Sequence, residues 1–223
     1  MGNRAGTIDF EICVDSYAAA IQAFQSGAAR LELCADLAQD GLSPDSQLLE
    51  AVLQQVTIPV MVMVRPRPGD FIYSSAELLQ MEEEIQSRRH SGCHGFVFGC
   101  LTSSGMPNLD QSRVLLEAAA PLACTFHRAF DICTDQFEAL TQLQQLGFSR
   151  ILTSGNQPTA WQARSRLLQL IEHAQDGIQI LPAGKVRANH ALELQHYLSC
   201  NELHSSALTI PYDVATVSEP GDA

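Results

Sequence analysis

The sequence predicts an α/β fold, a (β/α)8 TIM-like barrel in which a full eighth helix is not expected. Three observations predict it. Eight short β-rich runs recur along 223 residues, amphipathic segments of helical period separate them, and several runs carry charged residues at alternate positions. Strand–helix alternation over one domain length implies a parallel sheet with helices on its faces. An open doubly wound sheet is the alternative, but its strands are covered on both faces and have nowhere to put charge. Barrel strands do, because residues near their C-terminal ends point into the mouth. The length is in the lower part of the barrel range and requires no second domain, so residues 1–210 are read as one barrel and 211–223 as a tail.

The elements follow in order. TIDFEICV (7–14) leads into a helix over 15–27, with Ala18, Ile21, Ala23 and Phe24 on one face, a stop at Gly27, and Asp15 placed to cap its start. ARLELC (29–34) precedes a helix opened by Ser43-Pro44, with Leu48, Leu49, Val52 and Leu53 at helical spacing. IPVMVMVR (58–65), whose Val60–Met63 stretch reads as core, precedes a helix ending at Gly92. HGFVFG (94–99) is followed by a helix over 110–120 that stops before Pro121. LACTFHRA (122–129) is followed by 134–147, closed by Gly147. SRILTS (149–154) and IQILPA (178–183) are followed by helices over 158–175 and 187–198. ELHSSA (202–207) is the eighth run. The remainder is acidic and broken by proline, which argues against a further full helix.

Composition narrows the function. Net charge is −12 and Lys185 is the single lysine, which argues against nucleic acid or an anionic membrane as partner. No run approaches the ~20 apolar residues of a membrane span, and the first residues show no apolar leader core. The seven cysteines form no CxxC pair, so neither a zinc ribbon nor a thioredoxin motif is expected. An odd cysteine count in a chain of this size points to a reducing, cytoplasmic compartment. Taken singly, most of these thiols read as small buried hydrophobes.

The polar residues gather where a barrel carries its chemistry, at the C-terminal ends of the strands. The motif EICVD (11–15) recurs as ELCAD (32–36). Side chains two apart share a face. Glu11 with Cys13, and Glu32 with Cys34, therefore point inward, while Phe10, Ile12, Leu31 and Leu33 face the helices. Neighbouring strands then bring two acids and two thiols together as matching rungs. Two buried carboxylates require that one be protonated or that cations sit opposite, and Arg65, Arg67 and Arg128 are the candidate cations. A closed network that only orders the mouth is the structural alternative.

These strings resemble the CutC family, named for copper homeostasis. The resemblance rests on EICVDS, GAARLELCADLA with the following GLSP, VMVRPRPGDFIYS, HGFVFGCLT, TFHRAFDIC, LGFSRILTSG and ELHSSA, in order from about residue 8 to 207. It implies a TIM-like barrel, a cytoplasmic homo-oligomer, expected as a dimer, and a role in copper handling with Cu(I) held by cysteine in some members. Carried over, the copper-associated cysteines match Cys13 and Cys34. The polar rim matches Glu11, Glu32, Arg65, Arg67, Asp70, His127, Arg128, Asp131, Thr153, Ser154 and His204. The chain departs from the family where Pro182-Ala183-Gly184-Lys185 replaces a PGGG string, where Leu208 replaces an arginine, and where Cys100 follows Gly99. The first two changes fall near strands 7 and 8, where barrels often grip phosphate.

Three functions are weighed. The first is Cu(I) binding by Cys13 and Cys34, because soft thiolates select Cu(I) and two suffice for linear coordination, with Cys100 or Cys133 as a third ligand. The second is an enzyme acting on a small phosphorylated or carboxylated metabolite. Glu11 or Glu32 would serve as base, His127 as acid, and Arg65 or Arg67 as anion clamp. Backbone N–H groups of Thr153-Ser154-Gly155 and Gly184-Lys185 would cradle the anion. A Schiff base on Lys185 is disfavoured because the residue lies in the loop beyond Gly184. The third is a non-catalytic oligomerisation module. The copper reading is preferred and the enzyme is the runner-up.

Overall fold

The computed structural model describes residues 8–206. The strands are β1 Asp9–Val14, β2 Arg30–Leu33, β3 Val60–Met63, β4 Gly95–Phe98, β5 Ala123–Phe126, β6 Arg150–Thr153, β7 Gln179–Pro182 and β8 Glu202–Ser205. The helices that follow the first seven are α1 Tyr17–Gln25, α2 Ser46–Leu53, α3 Ser75–Arg88, α4 Leu109–Ala119, α5 Gln136–Leu146, α6 Arg164–Ala174 and α7 Ala188–Leu198. All strand pairs are parallel, in the order β7-β6-β5-β4-β3-β2-β1-β8. This is the expected TIM-like barrel, nearly closed. The segment expected as a tail, and Leu208, lie outside the described residues.

β7 and β8 lie side by side without a hydrogen-bonded ladder among the described residues. Proline explains part of this. Gln179 and Ala183 donate their amides to Ser149 and Thr153 on the β6 side, so the alternate residues of β7, Ile180 and Pro182, turn their backbone toward β8. Pro182 has no N–H to give there.

Period-2 alternation divides the strand side chains into two layers. Phe10, Ile12, Val14, Leu31, Leu33, Val60, Val62, Phe96 and Phe98 pack outward into the main core with the helices. Cys13, Cys34, Met61, Met63 and Val97 form a separate cluster inside the barrel, and Leu152, Leu181 and Ala183 form another. The expected facing of Phe10, Ile12, Leu31 and Leu33 is therefore found.

Two helix starts differ from expectation. Ser16, not Asp15, caps α1, accepting from the amide of Ala19 at 3.3 Å. Asp15 reaches across instead and accepts from the Leu37 amide at 3.2 Å, tying the end of β1 to the loop after β2. Asp45, rather than Ser43-Pro44, caps α2 through Leu48 N. Gly147 ends α5 as expected, with φ +105°, a conformation glycine adopts without Cβ strain.

Gly95 keeps β4 close to its neighbours. A Cβ there would run into the carbonyl oxygen of Ala123 and the Met61 side chain. Gly95→Ala is expected to cost about 1–3 kcal/mol by overpacking, read as a lowered urea midpoint. A midpoint equal to wild type would show that β3–β5 spread easily.

Candidate functional site

Barrel stagger decides which of the repeated residues meet. Along the β1–β2 ladder Glu11 sits level with Arg30, and Cys13 level with Glu32. On the other side Glu11 sits level with His204 of β8. The two motifs are thus offset by two residues and form a staircase rather than the expected matching rungs. Each acid meets a different neighbour as a result.

Glu11, 1% exposed, accepts from Arg30 Nε and shares a 2.8 Å hydrogen bond with Nδ1 of His204. Arg30 also donates to Glu202 at 2.7 Å, and Arg150 donates to the same carboxylate at 3.3 Å. Burial alone raises the Glu11 pKa, but the His204 and Arg30 contacts outweigh it and hold the group well below the usual carboxylate range. Glu32 has no such clamp. Burial pushes its pKa up, and the Glu11 charge adds to that against the opposing pull of His204, Cys13 and Arg30. The two glutamates of one repeat are therefore driven apart: Glu11 is the fixed anion and Glu32 is the group that holds a proton more readily. Burial lowers the His204 pKa, while the Glu32 and Glu11 charges raise it and prevail.

The thiols do meet. Cys13 Sγ and Cys34 Sγ are 3.5 Å apart, and Cys34 Sγ also lies 3.5 Å from the carbonyl oxygen of Val14. The contact with Cys34, burial and the Glu32 charge all push the Cys13 pKa well above the ordinary thiol value. Cys100 and Cys133, proposed as a third ligand, pack in the outer core instead. The soft neighbours are Met61 and Met63, which share the inner cluster with the two thiols.

A cavity of about 400 Å³ opens above this layer. Cys13, Glu32 and His204 line its floor side, and Arg65, His127, Arg128, Asp131, Gly184 and Lys185 also line it. Glu11, Cys34, Arg67, Asp70, Thr153, Ser154 and Gly155 do not. Glu32 Oε2 and His127 Nε2 are buried without a hydrogen-bond partner among the described residues.

Several rim residues serve the loops. Arg65 donates to the carbonyls of Gln39, Gly41 and Gly69. Arg67 binds Asp70, Glu77 and the carbonyl of Ile72. Neither is the cation opposite the buried acids; Arg30, which lies at the start of β2 with the parity of Glu32, takes that place. Asp131 accepts from Thr153 Oγ1, from the Ser154 amide and hydroxyl, and from Arg128 Nε. Gly155 N donates to Thr153 Oγ1. The Ser154 and Gly155 amides expected to help cradle an anion are therefore already used, and α6 begins only at Arg164. Burial and the nearby Arg65 charge lower the His127 pKa to about 3. At neutral pH it is an uncharged ring whose Nδ1 accepts from Ala129 N at 3.2 Å, so it is not the imidazolium acid expected. Arg65, half-exposed Arg128 and Lys185 are the cations that line the cavity.

The sequence model of the CutC family matches residues 8–209. The chain belongs to the CutC family. Two proteins named as CutC family proteins, from Histophilus somni and Parabacteroides distasonis, are 43% and 40% identical to it, each over 91% of this chain and over 83% and 84% of their own lengths. A solved CutC structure from Streptococcus agalactiae, named for copper homeostasis, superposes with a TM-score of 0.86 at 30% identity, covering 91% of this chain and all of that one. The solved structure of an aldolase, 8% identical, superposes with a TM-score of 0.68 over 89% of this chain and 90% of that one, a likeness that concerns the fold alone.

Two outcomes test the site. Arg30→Met leaves the buried Glu11 without that cation, and a loss of about 3–5 kcal/mol is expected in urea unfolding; a loss below about 1 kcal/mol would remove the pair from its structural role. Glu32 titrates with a raised folded pKa, so its protonated form favours folding. That contribution is full below the unfolded value of about 4.5 and is lost as pH rises toward the folded one. Glu32→Gln does not titrate, so it is expected to be at least as stable as wild type at pH 7, with the difference shrinking as pH falls to about 4.5. A variant clearly less stable at pH 7 would reverse this sign.

Proposed function

We propose that the chain acts in copper homeostasis by binding Cu(I) between Cys13 and Cys34 inside the barrel, beneath its mouth. The observation that carries the reading is the 3.5 Å separation of the two sulfurs. Taking the about 2.3 Å of a zinc–thiolate bond as a guide, a linear bridge spans roughly 4.6 Å, so the sulfurs need to part by only about 1 Å. The surroundings suit a soft ion. Met63 lines the cavity and packs with both thiols, and thioether and thiolate donors select Cu(I) over harder ions. Binding displaces the two thiol protons, and the Cu(I) charge offsets one of the two thiolate charges that result. The name of the Streptococcus agalactiae relative supports the same direction. A role in the reducing cytoplasm accords with seven free cysteines. The enzyme reading is weaker, because the Ser154 and Gly155 amides of the proposed cradle and the Arg65 and Arg67 clamps are engaged within the protein.

Titration of the reduced chain with Cu(I) against a colorimetric chelator is expected to show one ion per chain. Cys13→Ser with Cys34→Ser should weaken it at least about 100-fold, since no two-sulfur site remains. An unchanged affinity in the double variant would remove this site from the account.

A further inference from the structure

Cys13 has a second set of neighbours on the side away from Cys34. Cys13, Glu32 and His204 each offer a donor atom, and the three atoms lie within 4.8 Å of one another. All three residues are buried, and all three line the cavity. Cys34 does not line it.

Two features of this trio point to a ligand. First, Glu32 is 2% exposed and its Oε2 has no partner among the described residues. A buried carboxylate oxygen without a donor is costly, and a cation beside it removes that cost. Second, His204 is held as metal-binding histidines are held. Its Nδ1 is engaged by the Glu11 carboxylate at 2.8 Å, which leaves Nε2 as the ring's remaining donor. Glu11 is itself fixed by Arg30, and Arg30 by Glu202. A carboxylate behind the imidazole fixes tautomer and orientation and raises the ring's basicity as a ligand.

We propose that Cys13, Glu32 and His204 form a three-ligand site for a borderline divalent ion of the Zn2+ type, with its fourth position open to the cavity. Sulfur, imidazole nitrogen and carboxylate oxygen together suit zinc, whereas Cu(I) draws on the sulfur pair behind. Tetrahedral bonds of about 2.0–2.3 Å place donor atoms roughly 3.3–3.7 Å apart, so the trio closes by at most about 1.5 Å, within the reach of side-chain rotation. The open position holds water, and an ion there lowers that water's pKa toward about 7. The site shares Cys13 with the copper reading but does not depend on it.

The test is calorimetric titration of the reduced full chain with zinc chloride, with the Tm shift at saturating Zn2+ as a second readout. One ion per chain is expected. Glu32→Gln and His204→Gln should each weaken binding at least about tenfold, and Glu11→Gln, acting through His204, about 10–100-fold. Cys34→Ala should stay within about threefold of wild type for Zn2+ while losing Cu(I). No stoichiometric binding, or less than tenfold loss in either ligand variant, overturns the site. A large Zn2+ loss in Cys34→Ala also overturns it, in favour of a two-thiol site. If His204→Gln does not fold, Glu32→Gln decides alone. Failure of the copper reading would appear separately, as Cu(I) affinity unchanged in the Cys13, Cys34 double variant.

Discussion

A charge buried inside the barrel organises the rest of the structure. Glu11 sits in the interior at 1% exposure, where an isolated carboxylate is untenable. It persists because Arg30 on one neighbouring strand and His204 on the other close on it. The three residues come from β2, β1 and β8, so the clamp joins the first strands of the chain to the last. β7 and β8 lack a ladder among the described residues, and the Glu11–His204 contact, with the Arg30 and Arg150 bonds to Glu202, ties β8 in from the side of β1, β2 and β6.

The clamp also sets the chemistry above it. With Nδ1 of His204 engaged, the imidazole offers its other nitrogen. With Arg30 committed to Glu11 and Glu202, Glu32 is left without a direct cation and its Oε2 without a partner. Two glutamates in the same local motif thereby acquire opposite tendencies, a pattern in which environment assigns roles to chemically identical groups. Cys13 stands between a soft side, with Cys34 and Met63, and a polar side, with Glu32 and His204. Which ion it meets depends on which side supplies the partners.

The strands were legible because their apolar runs are short, β-rich and bounded by turn residues, and the inward parity of Glu11, Cys13, Glu32 and Cys34 followed from the two-residue period alone. Register was not legible. The offset between EICVD and ELCAD is a property of barrel closure, and it decides that Glu11 meets Arg30 rather than standing beside Glu32. Arg30 lies inside the run ARLELC with the right parity, but at the start of its strand, whereas a barrel's chemistry is expected from residues at the opposite end, where the rim arginines stand. Their partners are loop carbonyls and local acids, contacts that depend on how the chain turns after each strand. Asp15 shows the same limit: its spacing suits a cap, but Ser16 has the extended backbone that capping needs. Met63 was hidden by its apolarity, since a thioether in a strand reads as core until its neighbours are seen.

Carboxyl 13C NMR of the full chain across pH measures the divergence of the two glutamates. The Glu11 carboxyl is expected to stay ionised well below its ordinary 4.5, to a pH near 2, while Glu32 titrates above 4.5. Both carboxyls titrating together near 4.5, or Glu11 above Glu32, would contradict it.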